Sequence, residues 1–569
     1  MKNLEVSAVF REIAKILEIK GGNPFRIRAY ERAAQNIEGL SEDIEDFIRD
    51  GRLSEIPGIG KDLSERIKEF VKTGRIKIYE DLKKSIPKGL LDLLNIPSVG
   101  PKTAKLLYDE LRIKNILDLE RAIKKDRLQG LFGIKERTIE NISKGIELLK
   151  RGRERMTLGQ AEVIAEEFIR ALKVLPQVKK ISPAGSLRRQ KETVRDIDIL
   201  VEADKPKKIM DTFTSLPAVS EIQAKGKTKS SVRTRHDVQV DCRVVEKKSF
   251  GAALLYFTGS KNFNIKLRQI AIRKGLKINE YGIFRKNKFV AGSTEEEIFK
   301  ALGMPYIEPE LREDGGEIEL AQKFQLPRLI ELKDIKGDLH VHSSWSDGVN
   351  SIEEMAEAAR KRSYAYIAIT DHSQGLKVAG GLRITDLKKK KKEIEQLNKK
   401  LKNFRVLYGT EVDIDSNGKL DYKDEVLREF DIVVAAIHSG FKESKSQLTR
   451  RMVRACENKY VHIIAHPTGR LWGVREAYDI DLDELFNAVR DTNTHFEINS
   501  FPQRMDLNDS NCRRAKKIGI KLALCTDAHT FEQLENMQLG ISVARRGWLS
   551  REDVINTLPL EKLLETIKK

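Results

Sequence analysis

Residues 183–203 read PAGSLRRQKETVRDIDILVEA, and the fold of the chain's first half turns on them. Asp196 and Asp198 stand two apart in an apolar run, so on a strand both carboxylates leave the same face. Carboxylates paired this way can hold two divalent cations a few ångströms apart, the arrangement that aligns an in-line phosphoryl transfer. Just upstream, Gly185-Ser186 predicts a turn whose N–H and hydroxyl donors suit a nucleotide phosphate. Arg188 and Arg189 add fixed cations beside it. A second predicted strand, VQVDCRVVE (238–246), supplies Asp241 as the natural third carboxylate, either a cation ligand or the base for a 3′-hydroxyl. Asp237 lies beside a turn and is the weaker candidate. A lone DxD pair is more often a solvated strand face; the glycine turn and the third Asp separate this case from that one.

Upstream, residues 1–150 read as helices joined by glycine turns. IPGIGKDLSERI (56–67) and IPSVGPKTAKLL (96–107) repeat in register, and LFGIKERTIENI (131–142) keeps the apolar skeleton with Lys135 in place of the second glycine. Gly58, Gly60 and Gly100 permit tight turns whose N–H groups can approach a phosphate at a helix N-terminus, with Lys61 and Lys102 adjacent. Such turns hold a nucleic-acid backbone without reading its bases. Charge agrees: residues 1–300 hold 62 Lys+Arg against 43 Asp+Glu, whereas residues 301–569 hold 43 of each, so the whole excess of +19 lies in the first half.

Downstream, the proline-bearing stretch 304–336 reads as a linker, and the pattern beyond it becomes strand-then-helix. Seven predicted strands end near residues 342, 370, 411, 437, 465, 498 and 526, which argues for a parallel β/α barrel. Eight of the nine histidines lie in this half. GDLHVHSSWSDG (337–348) supplies His340, His342 and Asp347, and later strand ends supply His372, Glu411, His438, His466, Asp527 and His529. In such a barrel all C-terminal strand ends face one opening, so these nine donors converge. Imidazole and carboxylate without thiolate suit about three Mn²⁺ or Zn²⁺ and hydrolysis rather than a closed structural site. His462 and His495 fall inside strands and read as core or supporting residues. KKKKK (388–392) reads as the solvated face of a helix over 384–402. The four cysteines show no CxxC spacing and read as small buried residues in a reducing compartment. No apolar run is long enough for a membrane span, and the N-terminal amphipathic pattern is not a leader, so a cytoplasmic protein is expected.

GSLRR…DID, VDCRVV, YFTGSKNFNIKLRQIAIRKGLKINEY (256–281) and NPFRIRAYERAA (23–34) resemble the family X DNA polymerases, typified by DNA polymerase beta, over about residues 1–315. The resemblance implies that Asp196, Asp198 and Asp241 bind two Mg²⁺ (or Mn²⁺) and that Ser186 and Arg189 contact an incoming triphosphate. It implies also that Tyr256, Phe257 and Gly259 flank its sugar, with Asn264 and Arg268 on the minor-groove side of the nascent pair. One position departs. Arg66 stands where members that remove a 5′-deoxyribose phosphate carry a Schiff-base lysine, and a guanidinium is never a free amine at neutral pH, so that lyase is doubtful, with Lys61 and Lys68 the alternative amines. Residues 335–569 resemble the PHP (polymerase and histidinol phosphatase) domain with all nine metal-ligand positions filled. That implies a 3′–5′ exonuclease, with abasic-site endonuclease and 3′-phosphatase as further activities. FEINSFPQRMDL (496–507) fits as well, with Arg504 a phosphate contact.

The expected architecture is multidomain, α+β and α/β. It has a helical DNA-binding domain with the first helix–hairpin–helix (1–85), a fingers-like helical domain with the second (86–150), a nucleotidyltransferase palm (151–245), a thumb (246–315), a linker (316–336) and a distorted (β/α)7 PHP barrel (337–569). The expected function is short-gap filling in DNA repair with 3′-end trimming. Its partners would be gapped or primer–template DNA and deoxynucleoside triphosphates, with no membrane, and the protein a monomer. The alternative is a DNA-tethered PHP nuclease or phosphatase with a weak or inactive polymerase half.

Overall fold

The computed structural model describes residues 2–38, 44–56, 58–87, 89–96, 99–131 and 133–569. Pro57, Pro97 and Ser98 of the repeats, and Phe132, lie outside the described residues. The chain divides into two compact units, Met1–Arg153 with Leu471–Glu476, and Glu154–Arg470 with Ala477–Lys569.

The first unit is helical. Helices Lys61–Thr73 and Pro101–Leu111 begin directly after Gly60 and Gly100, each glycine an extended N-cap without a capping side chain. Leu63, Ile67 and Phe70, at helical spacing, bury with Phe10, Ile13 and Tyr30. Ala104 and Leu107 belong to a separate apolar cluster with Val99, Leu119 and Ile142.

The second unit opens with a five-stranded sheet in the order Lys180–Pro183, Asp196–Glu202, Gln239–Val245, Lys229–Thr234, Val219–Lys225. The outer hairpin of that sheet was not expected from the sequence; its edge strand Val219–Lys225 is almost wholly exposed and carries no apolar alternation. On Asp196–Glu202, Ile197, Ile199 and Val201 face a core shared with Phe168 and Phe213, and this turns Asp196 and Asp198 to the other face. Leu200, on that aspartate face, packs against Phe250, Ala253 and Leu254 of the helix Phe250–Thr258. The segment expected to be a thumb follows, with helix Lys261–Arg273, a three-stranded sheet and helix Glu295–Ala301.

Glu295 ties the last of these helices to the turn Gly185–Arg188. Its carboxylate lies 2.5 Å from Arg188 Nη2 and 2.6 Å from Nη1 of Arg312, which is fully buried. Burial opposes its ionisation, but the charges of Arg312 and Arg188 hold its carboxyl down at about 2. Glu295→Gln leaves the buried Arg312 and the half-buried Arg188 without their counter-charge and is expected to destabilise the unit by about 3 kcal/mol, read as a lower urea midpoint at neutral pH. A lowered folded-state pKa stabilises above the ordinary carboxylate range. The gap between wild type and variant therefore narrows as pH falls through about 4 toward 2.

The stretch expected as a linker is not a free tether. It carries helix Glu317–Gln322 and buries Ile318, Ala321, Leu329 and Ile330, and Ile330 N–H donates to Leu549 O at 2.9 Å. Beyond it, seven parallel strands follow one another in chain order, Gly337–Val341, Tyr366–Ile369, Arg405–Asp413, Ile432–Ala436, Ile463–Ile464, His495–Asn499 and Leu522–Cys525. A parallel bridge from Val341 to Ala528 brings the last strand's end back to the first, so the sheet is a nearly closed barrel. The five-lysine run departs from expectation at one position. Lys390 is fully buried, sharing the inward phase of Leu387, Ile394 and Leu397 on helix Ile384–Lys400. Its ammonium pairs with Asp371 at 2.8 Å and donates to Ile369 O and Gly409 O. All four cysteines are buried and free, and among the described residues no helix is long and apolar enough to cross a membrane.

Candidate active sites

Asp198 lies in register with Asp241 on the parallel neighbouring strand, and Asp196 is two residues earlier on the same face. Burial and the charges of Asp196 and Asp241 push the Asp198 carboxyl up to about 7. Crowded carboxylates of this kind are what a divalent cation relieves, so the donor set fits one. Asp241 is also held from the side: Gln239 Nε2 donates to its Oδ1 at 3.1 Å, and Lys229 Nζ lies 3.5 Å from Oδ2. Asp237, the weaker candidate, is in a turn and pairs with Arg233 at 2.7 Å.

The turn before the triad needs its glycine. Gly185 has φ +61°, and a Cβ there would stand 2.6 Å from Asp198 Oδ2, so the Gly185–Arg188 turn packs directly on the Asp198 carboxylate. Ala184 N–H donates to Asp198 O at 2.8 Å. Both arginines reach Thr258 of the YFTGS segment, Arg188 through Nη1 to Oγ1 at 2.7 Å, but they take different acidic partners. Arg188 pairs with Glu295, while Arg189 donates through Nη1 to Thr258 O and through Nε to Glu313 Oε1 at 3.0 Å. Gly259, at φ +71°, would bring a Cβ to 3.1 Å from Arg189 Nη1. Tyr256 packs edge-on against Phe257 at 5.1 Å, and Phe257 carries the Arg243 guanidinium over its ring at 4.3 Å. Asn264 Nδ2 donates to Tyr256 O at 2.7 Å, and Arg268 Nε to Asn264 O at 3.2 Å, on the outer face of helix Lys261–Arg273.

At the barrel mouth the nine expected donors come together. His342, Asp347, His372 and His529 form one group with ligand atoms within 4.8 Å of one another. His340, His342 and Asp527 form a second, and His372, Glu411 and His438 a third. His466 Nε2 joins at 3.1 Å from Glu411 Oε1. Among the described residues these are the groups of that tightness, so the aspartate triad is the more open site. His372 Nδ1 stands 2.9 Å from Glu411 Oε2, yet neither atom makes a hydrogen bond, and the Nδ1 atoms of His342 and His466 are buried without a partner. Atoms that approach without hydrogen-bond geometry are aimed at a common third point, which fits a metal ion. Burial, with His529 and His372 beside it, pushes His342 down to about 4, which keeps the imidazole neutral. Burial opposes ionisation of Glu411, but His438, His372 and His340 hold it well below the usual range.

The sequence reading missed the supporting ring. Glu497 Oε1 lies 2.7 Å from His340 Nδ1, Asp413 Oδ1 3.2 Å from His438 Nδ1, and Asn499 Nδ2 donates to Asp527 Oδ2 at 3.1 Å. Polar residues inside otherwise apolar strand ends, such as Glu497 in HFEIN, are the signal that could have found them. Arg504 Nε lies 3.5 Å from Asp527 Oδ2, and its Nη1 is buried without a partner. His462, half-buried, accepts from Val433 N–H at 2.9 Å, and burial pushes it down to about 3.

In the helical unit, Gly58 has φ +81°, Gly60 and Gly100 leave the helix N-termini uncapped by side chains, and Lys61 and Lys102 are exposed beside them. Arg66 is ion-paired with Asp62 at 2.7 Å.

Family models match in the same order along the chain: a helix-hairpin-helix domain over residues 1–76, a SAM-like helix-hairpin-helix tandem over 90–147, the DNA polymerase beta thumb over 253–313 and the PHP domain over 338–501. The DNA polymerase/3′-5′ exonuclease PolX of Bacillus subtilis (strain 168) is 40% identical over 573 residues, covering 100% of both chains. The chain belongs to the PolX family. PolX likeness extends piecewise as well. A probable phosphatase of Thermoanaerobacter sp. (strain X514) is 29% identical over 41% of this chain and 94% of its own length, and DNA polymerase lambda of Rattus norvegicus is 24% identical over 55% of this chain and 56% of its own. PolX membership thus joins two metal-dependent families in one polypeptide.

Proposed function

We propose that the chain fills short gaps in primer–template DNA during base excision repair and trims 3′ ends, through two separate metal-dependent sites. It is a DNA-directed DNA polymerase whose barrel is a 3′–5′ exonuclease. The observation that carries this is the packing of the Gly185 turn directly on the Asp198 carboxylate, in the same chain as a barrel mouth with nine imidazole and carboxylate donors.

Asp196, Asp198 and Asp241 would hold two Mg²⁺ or Mn²⁺, and the nine barrel donors about three Mn²⁺ or Zn²⁺. Bound there, the cations would neutralise phosphate oxygens and acidify a hydroxyl or water. The chain's own residues do the rest. Ser186 and the N–H groups of its turn bind the triphosphate of the incoming nucleotide, and Arg189 adds a fixed cation. Tyr256 and Phe257 flank the sugar, and Gly259 lets it approach. Asp241 accepts the proton of the primer 3′-hydroxyl, while Asn264 and Arg268 reach the minor-groove edge. In the barrel, Glu497 and Asp413 orient His340 and His438, and Arg504 meets the phosphate to be cut. The protein works as a cytoplasmic monomer and lacks the 5′-deoxyribose-phosphate lyase, because Arg66 offers no free amine.

The test is one gapped DNA with a labelled primer, incubated with and without nucleotide in Mg²⁺ and in Mn²⁺. Lengthening with nucleotide and shortening without it are expected; no lengthening in either metal would leave only the DNA-tethered nuclease. The likeness to a probable phosphatase favours a second reading, in which the barrel also dephosphorylates 3′ ends and opens abasic sites. A small phosphomonoester cleaved faster than the DNA end would move the barrel to that class.

The glycine turns grip backbone phosphates through Gly58, Gly60, Lys61, Gly100 and Lys102. Affinity for gapped DNA should therefore fall linearly on a log–log plot against salt, and Lys61→Ala with Lys102→Ala should reduce that slope by about 2. An unchanged slope in filter binding would remove these lysines from the interface.

A further inference from the structure

Two adjacent arginines follow the triphosphate turn, and the second is held by a residue 357 positions away. Arg189 Nε donates to Glu313 Oε1 at 3.0 Å, and Nη1 donates to Thr258 O. Among the described residues its Nη2 has no protein acceptor, which leaves one edge of the fork for a ligand. The same Glu313 oxygen accepts from Arg546 Nη1 at 3.2 Å. Arg546 ends the barrel helix Met537–Arg546 and its side chain is only 5% exposed. Its Nη1 also donates to the backbone carbonyl of Arg189 at 2.9 Å, while Nη2 lies 2.6 Å from Asp509 Oδ2. One turn earlier on that helix, Ser542 Oγ donates to Gln190 Oε1 at 2.6 Å, at a residue with φ +53°.

These contacts fix Arg189 at both ends, carbonyl and guanidinium, from a helix of the hydrolytic domain. A carboxylate shared by two guanidiniums is partly neutralised by Arg546, so it orients Arg189 without cancelling its charge. Burial opposes ionisation of Glu313, but Arg189, Arg546 and Lys191 hold its carboxyl below the usual range. Arginine suits the role because its planar fork can meet Glu313 and a carbonyl at once, which a lysine cannot.

We propose that Arg546 is a positioning residue of the polymerase: through Glu313 and the Arg189 carbonyl it holds Arg189 toward the incoming triphosphate, so that the PHP barrel forms the back wall of the nucleotide site. This rests on the reading of Arg189 as a triphosphate contact.

Steady-state single-nucleotide gap filling by the full-length protein tests it. Arg546→Gln is expected to raise KM for the deoxynucleoside triphosphate about tenfold, with kcat and the 3′–5′ exonuclease within about twofold of wild type. Arg546→Lys should fall between the two. Arg189→Ala sets the ceiling, and Arg546→Gln combined with it should add nothing further. If Arg189→Ala leaves KM unchanged, the triphosphate reading itself is wrong and the proposal falls with it. If Arg189→Ala raises KM and Arg546→Gln does not, or if the two effects add in full, the brace is overturned while the Arg189 reading stands. Should Arg546→Gln fail to fold, Glu313→Gln interrogates the same link from the other side, with the same rise in KM expected and an unchanged KM overturning the proposal.

Discussion

Asp196→Ala is expected to lower primer extension by at least about 10³-fold, equivalent to about 4 kcal/mol of transition-state stabilisation, and to leave 3′–5′ degradation of the same strand within about twofold of wild type. The fold should survive, because Asp196 is exposed and the apolar residues of its strand, Ile197, Ile199 and Val201, face the opposite side. What is lost is one of three carboxylates that share a face, and with it a charge that helps push Asp198 up to about 7. The remaining pair keeps its register but cannot hold the same cation charge. A gapped substrate labelled on the primer reports both activities in one tube. If extension and degradation fell together in protein with an unchanged melting transition, the two sites would not be independent, and the division of labour would be wrong.

The parts that were legible in the sequence are those where one physical constraint dominates. Parallel barrel strands are buried on both faces, so they read as apolar runs, and YIAITDHS or VVAAIHSG shows where each run stops and a candidate metal donor begins. The alternation in DIDILVE is equally plain, because one face must enter the core and the other must stay polar. Illegible were features set by distant partners. Nothing in RR says that Arg188 will pair with Glu295 and Arg189 with Glu313, since the choice depends on residues 107 and 124 positions away. The edge strand Val219–Lys225 lacks a pattern because it has no buried face. Lys390 is different: Leu387, Ile394 and Leu397 set an inward phase that includes it, and the run of five lysines hid that signal. Its burial is tolerable only because Asp371 is buried opposite it, and Asp371 in turn receives Ser343 N–H at 2.8 Å beside His342.

His340→Ala should do the reverse of Asp196→Ala, lowering 3′–5′ degradation by at least about 10³-fold while primer extension stays within about twofold. His340 is wholly buried, with Nδ1 2.7 Å from Glu497 and Nε2 3.4 Å from Glu411 and 3.6 Å from Asp527. Alanine removes a ligand that touches two of the three donor groups through its neighbours, and it leaves Glu497 Oε1 facing a void. Glu497 is not stranded altogether, because its Oε2 still accepts from His466 N–H at 2.6 Å and from Asn499 at 3.1 Å, so the barrel should remain folded. A graded series separates ligand from support. Glu497→Gln keeps an acceptor for the imidazole N–H but loses its charge, and should cost about 10- to 100-fold in metal affinity or degradation, less than His340→Ala. Manganese and zinc content of the purified proteins, measured alongside activity, should fall in the same order. Equal losses from both changes with full metal content would make His340 a purely structural residue, and the mouth of the barrel would need another reading.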